Sequence, residues 1–121
     1  MLVRSVCITT LFAVAAFLPS STAGADNPTL EGVVGTNDAF VISLADPSGA
    51  KVTHLDAGTY NVVVHDRSAE HNFHLTGPGV DHATDVEGVG DATWTVTLTD
   101  GIYRFLCDPH AGEMHGSFRV A

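Results

Sequence analysis

The chain has 121 residues, 45% of them hydrophobic, and fourteen acidic residues against five Lys and Arg give a formal charge of −9. So acidic a surface repels phosphate, which argues against nucleic acid and anionic lipid as partners; it suits a cationic partner or serves solubility alone. The length excludes several independent cores and suits one small domain.

The first element in chain order is a targeting segment. "MLVR" carries one positive charge, the apolar run "SVCITTLFAVAAFLP" follows, and small residues then end in Ala23-Gly24-Ala25. A charged start, an apolar middle and an A-x-A end predict a secretory signal peptide over 1–25, cut after Ala25. The run is shorter than the ~20 residues a spanning helix needs. Cys7 precedes most of it, a poor position for a lipoprotein cysteine. The rest, 26–121, is expected to be exported to the periplasm or outside the cell, and no second stretch in it is apolar enough to span a membrane. All fourteen acidic residues fall there, opposed by Lys51, Arg67, Arg104 and Arg119.

From there the chain reads as strands. "GVVG" at 32–35 and "FVISL" at 40–44 are short apolar runs, followed by the turn "DPSG" and by "KVTHL" at 51–55. In "TYNVVVHD", Tyr60, Val62 and Val64 share one face. In "EHNFHL", His71 and Phe73 share one face of a strand, and Asn72 and His74 the other. Thr76 to Gly90 is rich in Gly and Asp and reads as a long loop. "DATWTVTLT" alternates most cleanly: Trp94, Val96 and Leu98 face the core, and four threonines face water. Asp100-Gly101 is a tight turn signal. "IYRFLC" follows with Tyr103, Phe105 and Cys107 on one face, and "GSFRV" closes the chain with Phe118 and Val120 inward. After the signal peptide no segment of ten or more residues has a helical period. Short strands separated by turn signals predict an all-β, Greek-key β-sandwich over 26–121.

The soft side chains are few. Cys7 and Cys107 are the cysteines, Met1 and Met114 the methionines. Without 1–25, one thiol and one thioether remain. Exported small domains often use disulfides, yet a lone thiol cannot form an internal one. Intermolecular pairing, nucleophilic chemistry or a metal are the readings left. "CDPHAGEM" puts Cys107, His110 and Met114 in one turn-sized stretch beyond a strand, and His71 supplies a second imidazole. A thiolate, two imidazoles and a weak axial thioether form the donor set of a blue-copper site. Cysteine alone is as readily a small buried hydrophobe, and His71 alone an ordinary strand residue. It is the spacing of the set that favours copper.

"GIYRFLCDPHAGEMHGSFRV" resembles the closing segment of the cupredoxins, the plastocyanin, pseudoazurin and amicyanin group: G-x-Y-x-F-x-C-x-P-H, then M-x-G and a final strand. "EHNF" resembles their upstream His-Asn pair. The resemblance covers most of 31–121. It implies one type 1 copper per chain, with His71, Cys107 and His110 in one plane and Met114 axial. It also implies that Asn72 braces the ligand loop through hydrogen bonds. Three residues separate His110 from Met114 here, against four in plastocyanins and pseudoazurins and two in amicyanin. His74 is the rival upstream ligand, which strand alternation points away from His71. His115 reads as a surface residue beside Met114. His54, His65 and His82 are expected to face solvent, and Trp94 the core.

The implied function is a small electron carrier cycling Cu(I)/Cu(II), not an enzyme, working as a monomer with redox partner proteins. A copper chaperone or storage protein is the alternative, and it would favour a Met-rich or His-rich site. Oxidases and nitrite reductases need further copper centres and a His after the cysteine, where this chain has Asp108. A thiol enzyme built on Cys107 and His110 would leave Met114 without a role.

Overall fold

The computed structural model describes residues 26–121; the signal peptide expected over 1–25 lies outside the described residues. Among the described residues the strands are β1 (Thr29–Val34), β2 (Ile42–Ala45), β3 (His54–Leu55), β4 (Gly58–Asp66), β5 (His74–Gly77), β6 (Val80–Ala83), β7 (Gly90–Leu98), β8 (Gly101–Leu106) and β9 (His115–Val120). They form two sheets, in the orders β2-β1-β4-β7 and β3-β9-β8-β5-β6. β1 pairs with β4 and β3 with β9 in parallel, while the other neighbours are antiparallel. Parallel neighbours cannot be joined by a hairpin. The chain therefore crosses repeatedly between the sheets, and the result is the all-β Greek-key sandwich that the strand pattern predicts.

Alternation explains which faces meet. On β4 and β7, Tyr60 lies opposite Val96 and Val62 opposite Trp94. Leu30, Val34, Leu44, Val62 and Val64 of this sheet are buried against Phe73, Leu75, Tyr103, Phe105, Phe118 and Val120 of the other side. Each such side chain contributes about 1.5–3 kcal/mol on full burial. Phe73 stacks on Phe105 with centroids 5.6 Å apart, and Tyr103 on Phe118 at 5.3 Å. Gly116 lets the β9 backbone lie flush on a ring: a Cβ there would fall 2.2 Å from Phe105.

Two expectations need correction. The long loop expected over 76–90 contains strand: β5 runs to Gly77, β6 occupies Val80–Ala83 and β7 begins at Gly90. β6 is an edge strand with only Val80 buried, so it carries almost no apolar alternation. Its pairing is set by the turn at Pro78-Gly79, where Gly79 has φ 69°. Trp94 is only half-buried, tilted against Phe73 and stacked on His82 at 5.3 Å. His65 lies on the outer face of its sheet as expected, and there it is held between Glu31 and Asp91 at 2.7 and 2.9 Å.

Candidate metal centre

Cys107 follows β8 directly, and His110 ends a short 3-10 turn over Asp108–His110, which Pro109 favours by fixing φ near the helical value. The loop closes on itself. The His110 N–H donates to the Cys107 carbonyl (3.0 Å), the Met114 N–H to the His110 carbonyl (2.8 Å), and the Cys107 N–H to the Met114 carbonyl (3.0 Å). "CDPHAGEM" is thus a compact bridge between β8 and β9. His71 comes from the other side. It precedes β5, which starts at His74, so it sits in the connection from β4 and not on a strand as its neighbours suggest.

These pieces converge. Cys107 Sγ lies 3.7 Å from His71 Nδ1 and 3.6 Å from His110 Nδ1, and the two Nδ1 atoms are 3.0 Å apart. A transition-metal ion bonding nitrogen at about 2.0 Å and sulfur at about 2.3 Å spans edges of about 3.5–3.7 Å. The two sulfur edges have that size while the nitrogen–nitrogen edge, at 3.0 Å, is shorter, and thiolate with imidazole is the donor chemistry copper takes. Cys107 and His71 are fully buried, Met114 is 1% exposed and His110 is half-exposed. His71 Nε2 lies 3.3 Å from the Asp38 carbonyl. A carbonyl can only accept, so Nε2 carries the hydrogen and Nδ1 keeps its lone pair toward the thiol.

Asn72 is hydrogen-bonded to the loop at several points. Its Nδ2 donates to Asp108 Oδ2 (2.7 Å) and to the Thr84 carbonyl (3.2 Å), and its Oδ1 accepts from the Asp108 N–H (2.8 Å). Its own N–H points at Cys107 Sγ at 3.4 Å. Thr84 Oγ1 in turn accepts from the Phe73 N–H (2.9 Å) and donates to the buried Asp66 carboxylate (2.7 Å). The segment carrying His71 is thereby pinned on both sides.

Neither rival histidine joins the cluster. His115 is exposed, and its Nδ1 donates to the Ala111 carbonyl at 2.8 Å. His74 lies between Asp108 (2.8 Å) and Asp81 (2.6 Å). Burial opposes its charge, but the bonds to the two carboxylates outweigh burial and raise its pKa above the usual histidine value. Burial likewise pushes Asp108 up, yet hydrogen bonds from His74 and Asn72 prevail and hold it below the ordinary carboxylate range.

Sequence reasoning missed the segment 35–40. Phe40 is 55% exposed yet sits edge-on to both imidazoles, 5.0 Å from His71 and 4.5 Å from His110. Gly35, Asn37 and Asp38 have φ of 70°, 56° and 58°. Gly35 is needed twice over, because a Cβ there would lie 2.5 Å from Ser68 Cβ and 3.1 Å from the His71 ring. The available signal was Gly35 with Asn37-Asp38, residue types that tolerate left-handed backbone.

A family model described as copper-binding proteins of the plastocyanin/azurin family matches residues 38–121. The chain belongs to that family. It is a cupredoxin whose cofactor is a single type 1 copper. Among solved structures it is similar to reduced rusticyanin at 1.9 Å resolution, with 18% identity over 77% of this chain and 78% of that one and a TM-score of 0.57. It is also similar to rusticyanin from Thiobacillus ferrooxidans at 1.27 Å, with 20% identity over 77% and 76% and a TM-score of 0.53. At such identities the likeness is one of fold. Among curated protein sequences none matches significantly. No helix among the described residues is long and apolar enough to cross a membrane.

Proposed function

We propose that this cupredoxin is a diffusible one-electron carrier, exported after removal of residues 1–25, with His71, Cys107, His110 and Met114 as its copper ligands. The observation that carries the reading is a buried thiol and two imidazoles converging within 3.7 Å, with one imidazole half-exposed. Bound copper supplies the Cu(I)/Cu(II) couple. The protein supplies a donor set already in place, braced by Asn72, so little has to move when the charge changes. Enclosure of Cys107 keeps the thiol from solvent oxidants. His110 and Phe40 offer the short way between the site and a docked partner.

Members of this family are generally electron carriers rather than enzymes. A storage or chaperone role suits an open site with several thioethers, whereas here the one methionine after Met1 is buried. The acidic surface suits a cationic redox partner, steering encounter over about a Debye length.

The test is titration of the 26–121 protein with copper, read by visible and electron-spin spectra. One equivalent should give an intense blue thiolate-to-Cu(II) band and a narrow hyperfine splitting, and the bound ion should cycle reversibly. Copper binding without that band would overturn the ligand assignment. Electron exchange with a cationic partner should slow as salt rises, and rates independent of salt would replace steering by apolar docking.

A further inference from the structure

The residue after Cys107 is an acid, and the structure gives that acid a partner beyond Asn72. Asp108 uses both carboxylate oxygens: Oδ2 accepts from Asn72 Nδ2 at 2.7 Å and Oδ1 meets His74 Nδ1 at 2.8 Å. His74 Nε2 meets Asp81 Oδ1 at 2.6 Å. A chain of hydrogen bonds therefore runs from Asp81 on β6, through His74 on β5, to Asp108 in the ligand loop, and on to Asn72 beside His71.

Each link has a consequence. With both carboxylates ionised, both ring nitrogens of His74 must donate, so the ring orientation is fixed from two sides. Such charge-assisted bonds are about twice as strong as neutral ones. The Asp108 carboxylate cannot rotate away from Asn72 without breaking its bond to His74. Asn72 in turn receives the Asp108 N–H on Oδ1 and directs its own N–H at Cys107 Sγ. The groups around His74 are Asp81 and Ala83 on β6, Leu106 opposite it on β8, and Asp108 in the turn. None of these competes as a donor to Asp108 Oδ1.

We propose that His74 is a positioning residue for the copper loop: acting through Asp108, it locks the Asn72 latch that fixes the Cys107 thiolate. It binds no copper itself. The role rests on the copper reading for its consequence, but the lock exists in the metal-free protein and can be measured there.

The experiment compares His74→Phe, His74→Asn and His74→Gln. Asn places an N–H donor where Nδ1 stands, toward Asp108, whereas Gln places one where Nε2 stands, toward Asp81. The first readout is hydrogen exchange of the Asp108 amide in the copper-free protein. His74→Phe and His74→Gln should lose protection there by on the order of five- to tenfold, the worth of one hydrogen bond. His74→Asn should retain it, and amides of β4 and β7 should not change in any variant. The second readout is the copper-loaded spectrum, in which hyperfine splitting and thiolate bands should shift for Phe and Gln and be restored by Asn. Equal protection in the Asn and Gln variants would overturn the proposal, and that comparison stands even if the Phe variant does not fold. A spectrum unmoved by Phe in a folded protein would overturn it as well. Absence of a blue band in the unaltered protein would instead count against the copper ligand assignment, while the exchange data still decide the role of His74.

Discussion

Two regions of this small sandwich use histidine in opposite ways. At the loop end, His71 and His110 face a thiol and each other, and the outer nitrogen of His71 meets a backbone carbonyl. On the outer faces of the sheets, His65 and His74 each lie between two carboxylates. A ring between two carboxylates has its pKa raised, and when protonated it has no lone pair to give. A ring with one carbonyl partner keeps its other nitrogen free. The partner on the far nitrogen thus bears on whether a histidine is free to ligate or serves as a clamp.

Removing the thiol breaks the loop end outright. Cys107→Ser should abolish the blue band entirely while the melting temperature of the copper-free protein stays within a few degrees, because serine is close in size and the site is already lined by polar nitrogens. Persistent intense thiolate absorption in that variant would remove Cys107 from the site.

The backbone beneath His71 should be the next most sensitive. Gly35→Ala puts a Cβ 2.5 Å from Ser68 at φ 70° and should destabilise by roughly 2–4 kcal/mol, combining left-handed strain with overpacking. Gly49 is a control: its φ is 84°, but nothing lies within 4 Å of a Cβ there. Gly49→Ala should cost about 1–2 kcal/mol from strain alone. Equal losses in denaturant melts of the two variants would show that close approach to His71 is not what Gly35 serves.

The axial position should have a milder effect on stability. Met114→Leu conserves volume in a buried site and should cost less than about 1.5 kcal/mol. The blue colour should persist and the potential should rise, because a lost soft donor destabilises Cu(II) more than Cu(I). Cyclic voltammetry decides, and an unchanged potential would place Met114 away from the metal.

The two regions also differ in how legible they were. Cys107, His110 and Met114 lie within eight residues, and the loop between two alternating strands could bring them together in only a few ways. The long strands β4 and β7 were equally plain, since each has one apolar and one polar face. Phe40, Thr84 and the His74–Asp108 bond were not, because each depends on residues more than ten positions away meeting across the sandwich. β6 escaped notice since an edge strand is held by backbone pairing and needs little apolar pattern. His65 does face outward, but a single histidine in an alternating strand gives no hint that Glu31 and Asp91 flank it on neighbouring strands.

That same clamp gives the smallest effect. Hydrogen bonds to Asp91 and then Glu31 raise the His65 pKa above its ordinary value near 6.5, and the bond from His65 holds Asp91 below its ordinary value. A raised pKa means that the folded state binds the His65 proton more tightly than the unfolded state does. Its stabilisation is complete below about pH 6.5 and is lost as pH rises through the raised value. For Asp91 the sign is reversed: its share is present above about pH 4 and is lost as pH falls through the lowered value. The clamp should therefore act fully only between about pH 4 and 6.5. The pair is near the surface and Arg67 lies 3.3 Å from His65 Nδ1, so the effect is modest. His65→Gln should lower the melting temperature by a few degrees at pH 5.5, and the gap should narrow steadily by pH 9. His74 titrates in both proteins and cancels in the difference. A gap that stays constant from pH 5.5 to 9 would mean that His65 acts by packing rather than by charge, and the contrast between clamp and ligand histidines would then rest on His74 alone.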